Sequence, residues 1–293
     1  MFNLPTTFVS SDINELYIDV ERDILRYEKM RDTASIEGLA NIASSVIVGL
    51  IDIVLNTANN VGVLLTKLFK DIKRSELQAH MSRNVVQVRK LRRIGYSEIY
   101  KKRIPIYPFH ISPNTVAAYC TDTFKIFNMR ARVSDIIEQY KLLAANVRIG
   151  DENKIKIHIG MLDNLNNRTL SDSVLTKLKD IVVVNPPSNH TTFGKVFNSV
   201  DECFQAIDTT LRISEEFNEA IAVSKMLDSL YAAYSSLADA LAARKDYGLD
   251  VSKLKGLSET IRSTGILLER YAVLVKEYSH LDHFLVVTLK NIV

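Results

Sequence analysis

The chain has 293 residues, of which 47% are hydrophobic and 24% charged, with a net charge of +3. These values exclude a disordered chain and allow a substantial core. Two cysteines, Cys120 and Cys203, argue against a disulfide-built secreted scaffold, and a reducing compartment is the default. Ten glycines, six prolines and no tryptophan predict long helices with few breaks. The opening MFNLPTTFVSSDINELY lacks a basic stretch followed by an apolar run, so no secretory signal is expected.

The first predicted helix covers residues 12–30. Asp12 can cap it with Glu15 three residues on, and Ile13, Leu16, Val20, Ile24 and Tyr27 line one face. Residues 36–70 then read IEGLANIASSVIVGLIDIVLNTANNVGVLLTKLFK. From Gly38 to Thr66 the only charge is Asp52, and the length suffices to cross a bilayer. The composition argues against a span. A carboxylate near the centre costs about 2.5–3.5 kcal/mol on the insertion scale, and Asn41, Asn56, Asn59 and Asn60 add to it. Leu39, Ile42, Val46, Leu50 and Val54 form one helical stripe; Leu64, Leu68 and Phe69 belong to a second. TANN at 57–60 is expected to loosen or break the helix between them. The two pieces are expected to form a buried hairpin, packed on another helix or on a partner. A position on a membrane surface is the alternative.

A basic tract follows. From Lys67 to Arg103 there are twelve Lys or Arg against Asp71, Glu76 and Glu98, a net of +9. The rest of the chain therefore carries −6. Arg83 lies within the tract; Arg89, Lys90, Arg92 and Arg93 form its densest cluster, and Lys101, Lys102 and Arg103 a second. Such a surface can face nucleic acid, anionic lipid or an acidic protein, or serve only as a solvated face. Tyr96 and Tyr100 lie between the clusters and can stack on bases or anchor packing. No base-reading module is present, which argues against sequence-specific DNA binding.

IPIYPFHISPNT at 104–115 holds half of the prolines and reads as extended, so a division is placed at residue 103. A helix from Pro113 to about Leu143 follows, with a bend or break near 127–133. KIKIHIG at 154–160 alternates and is the best strand candidate, with IVVV at 181–184 as a second. NPPSNHTTFG is expected to be a loop. Residues 199–246 read as one long helix or two in line, YGLD at 247–250 as a turn capped by Gly248, and 251–290 as a last helical region that Gly265 can interrupt. Long helices joined by a short turn pack antiparallel. The expected fold is mainly α: an elongated helical bundle with long antiparallel C-terminal helices and at most a small two-stranded β element. Its two domains are 1–103 and 104–293, with the β insertion near 150–190.

No phosphate-binding loop, dinucleotide fingerprint, zincin signature or nucleophile elbow occurs. Of six histidines only His280 and His283 are close, and SHLDHF reads as ordinary helix surface. Both cysteines sit in apolar surroundings and read as small buried hydrophobes. Glu215 and Glu216 read as a solvated helix face rather than as a carboxylate pair for glycoside chemistry. No enzyme activity, cofactor or metal is expected.

The order of these features resembles that of internal virion proteins of large tailed bacteriophages. The resemblance covers about a third of the chain. It rests on the glycine-containing amphipathic segment at 38–66, the stretch LFKDIKRSELQAHMSRN, and a proline-marked start of a helical body. In that family a maturation protease commonly cuts after a small-x-Glu motif. Ser35-Ile36-Glu37 has this form, as does Ser214-Glu215-Glu216. The resemblance implies a capsid-associated or ejected structural protein, trimmed after Glu37. Its partners would be other virion proteins or copies of itself, with packaged DNA against the basic tract. Its location would be the capsid interior, and otherwise the cytoplasm.

Overall fold

The computed structural model describes residues 11–33, 35–74, 85–167, 176–179, 181, 190–245 and 249–293. Its elements in chain order are α1 (Ser11–Met30), α2 (Ile36–Arg74), α3 (Val85–Leu91), α4 (Tyr96–Ile99), β1 (Arg103–Pro105), α5 (Pro113–Phe127), α6 (Met129–Ile149), α7 (Glu152–Asn167), β2 (His190–Thr192), α8 (Phe193–Val196), α9 (Val200–Arg212), α10 (Ser214–Arg244), a 3-10 turn (Val251–Leu254) and α11 (Leu257–Ile292). The chain is mainly α, with one two-stranded antiparallel sheet among the described residues.

Two compact units divide the chain. The first takes Met1–Leu65, Arg130–Leu170 and Val223–Glu269, and the second Thr66–Met129, Ser171–Ala222 and Arg270–Val293. Boundaries fall inside α2, α10 and α11, and another just after the first residue of α6. Both long C-terminal helices, α10 and α11, contribute residues to both units.

In the first unit α1 lies antiparallel on α2. Ser45 donates to Asp23 at 3.3 Å, and the hydroxyls of Tyr17 and Thr57 meet at 3.5 Å. Gly49 makes the close approach possible, because a Cβ there would collide with Cγ2 of Val20. α2 is continuous through TANN, contrary to the expected break, so the hairpin is α1–α2 rather than two halves of 36–70. The reason is tertiary packing. Thr57 and Ala58 are buried, and that burial outweighs the weak helix propensity of the asparagines.

Glu21 ties α1 to the start of α11 by accepting from the Ser258 hydroxyl and, at 3.3 Å, from the Gly256 backbone N–H. The Arg244 guanidinium donates to the carbonyls of Val147 at 3.1 Å and Arg148 at 2.7 Å. It thereby adds donors to carbonyls at the end of α6, where the Val147 carbonyl also accepts from the Gly150 N–H at 3.1 Å. The centre holds a polar cluster. Tyr140 meets Thr264 at 3.1 Å, Asn166 donates to Thr264 at 3.0 Å and to the Thr260 carbonyl at 3.1 Å, and the Tyr140 and Tyr234 rings lie 4.7 Å apart.

KIKIHIG is helical, as part of α7, and not a strand. Asp151 accepts from the Lys154 backbone N–H at 3.2 Å and starts the helix. Ile155, Ile159 and Leu162 then share a buried face at helical spacing, whereas Ile157, which the alternation placed with them, is 53% exposed. The strands are instead β1 and β2, with Arg103 opposite Thr192, Ile104 opposite Thr191 and Pro105 opposite His190. Ile181 is buried, while the rest of IVVV and Gly248 lie outside the described residues.

In the second unit α5 packs on α9. Ser112 caps α5 by accepting from the Thr115 N–H, and Asn128, at φ 40°, makes the expected break before α6. Ser199 caps α9 and accepts from the Glu202 N–H at 3.0 Å, while Glu202 accepts from the Asn198 N–H at 2.7 Å. Phe124 meets Tyr271 and Tyr278 edge-on at 5.9 Å each, and Tyr278 donates to the Thr210 carbonyl at 3.0 Å. α11 is unbroken at Gly265.

SHLDHF is not ordinary helix surface, because Asp282 is 0% exposed and neither carboxylate oxygen has a hydrogen-bond partner among the described residues. Burial pushes its carboxyl up to about 8. An unfolded aspartate releases its proton near pH 4, whereas the folded one keeps it until about 8. The folded state therefore binds more protons across that window, and stability falls as pH rises through it. Asp282→Asn removes the titration. Its stability relative to wild type should rise by about 1 kcal/mol per pH unit from pH 5 to 8, read from urea denaturation. A difference independent of pH would contradict this.

Candidate polyanion interface

Arg89 and Lys90 lie on α3, Arg92 and Arg93 in the turn after it, Lys101 and Lys102 after α4, and Arg103 at the start of β1. All seven are exposed and all belong to the second unit. Arg83 lies outside the described residues. Val88, Leu91, Ile99 and Ile104 are buried between the cations, so the tract is pinned to the unit by alternate apolar anchors.

Aromatic packing and backbone pairing fix the geometry. α3 packs on α9, and the Arg92 guanidinium sits 3.7 Å from the centre of the Phe204 ring. Tyr96 donates to the Phe197 carbonyl at 2.9 Å and meets Tyr100 and Phe193 edge-on at 5.6 and 6.1 Å. The backbone N–H groups of Phe193 and Gly194 donate to the carbonyls of Lys102 and Tyr100, each at 3.0 Å, and so extend the ribbon. The Lys102 ammonium donates to the Ile292 carbonyl at 3.1 Å. Tyr96 is thus an anchor of packing, whereas Tyr100 leaves part of its ring in solvent, 48% exposed. An open recess of about 380 Å³ beside the ribbon is lined by Lys102, Arg103, His190 and Asn291.

None of the seven cations shares an ion pair with a carboxylate among the described residues. Elsewhere pairing is common: Arg22 meets Asp19 at 2.7 Å, Arg212 meets Asp208 at 2.7 Å, and Lys255 meets Glu28 at 3.2 Å. The face is therefore a concentration of uncompensated positive charge held on a rigid support, suited to an anionic surface.

The residues expected to pack against a partner are placed differently. Val46, Leu50, Val54, Leu64 and Leu68 are buried within the chain itself, so the neighbour they pack on is their own chain. Leu39 and Ile42 are half-buried and Phe69 is exposed. Ser35 and Glu37 are exposed at the start of α2, where the Ser35 hydroxyl accepts from the Gly38 N–H at 3.2 Å. A cut after Glu37 would release α1, whose Tyr17, Val20 and Ile24 are buried. Cys120 and Cys203 are buried, and burial pushes both thiols up, away from the reactive thiolate. His280 lies 3.3 Å from Glu277. The side chains of Glu215 and Glu216 lie outside the description.

A Cβ at Gly194 would run into the Tyr100 ring, which covers the ribbon at that point. Gly194→Ala should cost about 1–3 kcal/mol in urea denaturation and shift the Tyr96 and Tyr100 fluorescence. Unchanged stability and emission would show that the aromatic cover does not hold the ribbon. Among known proteins no family model matches the chain, and no curated protein or solved structure is similar to it.

Proposed function

We propose that the chain is a non-enzymatic helical structural protein that packs with other virion proteins or copies of itself and meets packaged DNA through the basic face of its second unit. The single observation behind the DNA contact is the set of seven exposed cations with no carboxylate partner among the described residues. Phosphates attract such a face without sequence preference, and each contact releases a counterion. The virion setting is carried by the resemblance of residues 38–66 and of the basic stretch after them. The test is duplex DNA binding by fluorescence anisotropy across a salt series. Arg89→Gln, Lys90→Gln and Arg93→Gln together should flatten the log–log salt slope by about 2–3, at roughly 0.9 per lost phosphate contact. Arg92 is left intact because it packs on Phe204. A slope unchanged in the triple variant would overturn the assignment.

The second reading is a peripheral membrane role. It is favoured by the outward side of α2, where Val48, Leu55 and Val63 are 40%, 43% and 55% exposed. α2 is long and apolar enough to cross a membrane, and only 33% of its most apolar stretch is buried. Flotation with vesicles containing anionic lipid separates the two readings. The DNA-facing proposal expects the protein to stay in the dense fraction. Flotation lost on converting Val48, Leu55 and Val63 to Ser would favour the membrane instead.

A further inference from the structure

The recess beside the ribbon has a more specific chemistry than the face around it. Along β1, Ile104 points into the core, so Arg103 stands on the opposite side of the ribbon. The register sets Arg103 against Thr192 and Pro105 against His190, which makes Arg103 and His190 diagonal neighbours on that same outer side. Lys102 reaches the recess from the residue before the strand, and Asn291 from the last turn of α11. A hydrogen bond to the Ile292 carbonyl holds the Lys102 ammonium in place and leaves it two donors. Arg103 offers a planar fork that matches two phosphate oxygens, and the imidazole N–H and the Asn291 amide can supply further donors. No carboxylate lines the recess among the described residues.

We infer that this recess seats a phosphate group of a nucleic-acid strand, as a discrete subsite within the broader basic face. The inference rests on the polyanion reading above for its choice of ligand. The walls favour nucleic acid over a lipid headgroup, because among the described residues no aliphatic side chain lines the recess to receive an acyl chain. Tyr100, two residues before Lys102, is part-exposed and offers a ring on which a base next to the bound phosphate can stack.

Asn291→Asp tests the subsite without removing a cation. Asn291 is exposed, so the change places a carboxylate in the recess and spares the core. Inorganic phosphate is titrated calorimetrically into the full chain at constant ionic strength. Anisotropy of a 5′-phosphorylated single-stranded oligonucleotide is then followed with phosphate as competitor. Wild type should bind phosphate, Asn291→Asp should lose at least tenfold in that affinity, and the Arg89, Lys90 and Arg93 triple variant should keep it. Phosphate should displace the oligonucleotide from wild type. If Asn291→Asp binds phosphate as wild type does, the subsite is overturned, and salt-dependent DNA binding through α3 is untouched by that result. If wild type binds phosphate but neither oligonucleotide nor duplex, the nucleic-acid assignment falls and the polyanion reading falls with it. Preference for phosphatidate vesicles over the oligonucleotide would likewise overturn the assignment to nucleic acid.

Discussion

Mutual repulsion among like charges is the constraint under which the second unit is built. Seven cations between Arg89 and Arg103 are held on one short stretch without a carboxylate partner among the described residues. Screening by salt weakens the repulsion but does not remove it at this spacing. The fold counters it with interactions that do not consume the charge. Val88, Leu91, Ile99 and Ile104 bury apolar surface beneath the cations. The ribbon fixes β1 to β2 through the backbone, and Tyr96, Phe193 and Phe197 lock the connection beside it. Arg92 gains from the face of Phe204, about 0.5–1 kcal/mol at an exposed site, while its charge stays available. A protein selected only for solubility would gain more by interleaving acids, as it does along α1 and α9, where Arg22 and Arg212 have carboxylates one turn away.

Buried polar groups are handled in two ways along α11. In the first, Tyr140, Thr264 and Asn166 satisfy one another around the Thr260 carbonyl, so the polar groups specify one arrangement of α6, α7 and α11. In the second, Asp282 is buried on the same α11 with no partner for either oxygen among the described residues. Such a group is tolerated near neutral pH because it holds its proton. Holding that proton makes stability fall as pH rises from about 4 to 8.

What was legible in the sequence was the signal that repeats. α2 shows its stripe over many turns, and Val46, Leu50, Val54, Leu64 and Leu68 are buried as that stripe requires. The long C-terminal helices were readable for the same reason. Short or ambiguous patterns misled. In KIKIHIG, alternation and helical spacing share Ile155 and Ile159, and only the exposure of Ile157 separates them. The true strands have three residues each, too few to show any period. Of the recess, Lys102 and Arg103 stood out as charge, whereas His190 fell in NPPSNHTTFG, expected to be a loop, whose end supplies β2 and the start of α8. Nothing local marks Asn291, which reaches the ribbon only because α11 ends there. Asp282 was hidden between two histidines that suggested a wet surface. Its burial follows from what packs around α11, which no window of sequence contains.

Hydrogen–deuterium exchange of the full chain, with and without duplex DNA at low salt, tests the central claim most directly. Protection concentrated in 86–103 and 190–197, with α1 and α2 unchanged, is the result expected of a basic face built to meet phosphates. DNA-dependent protection spread along α2, or none at all in 86–103, would contradict it.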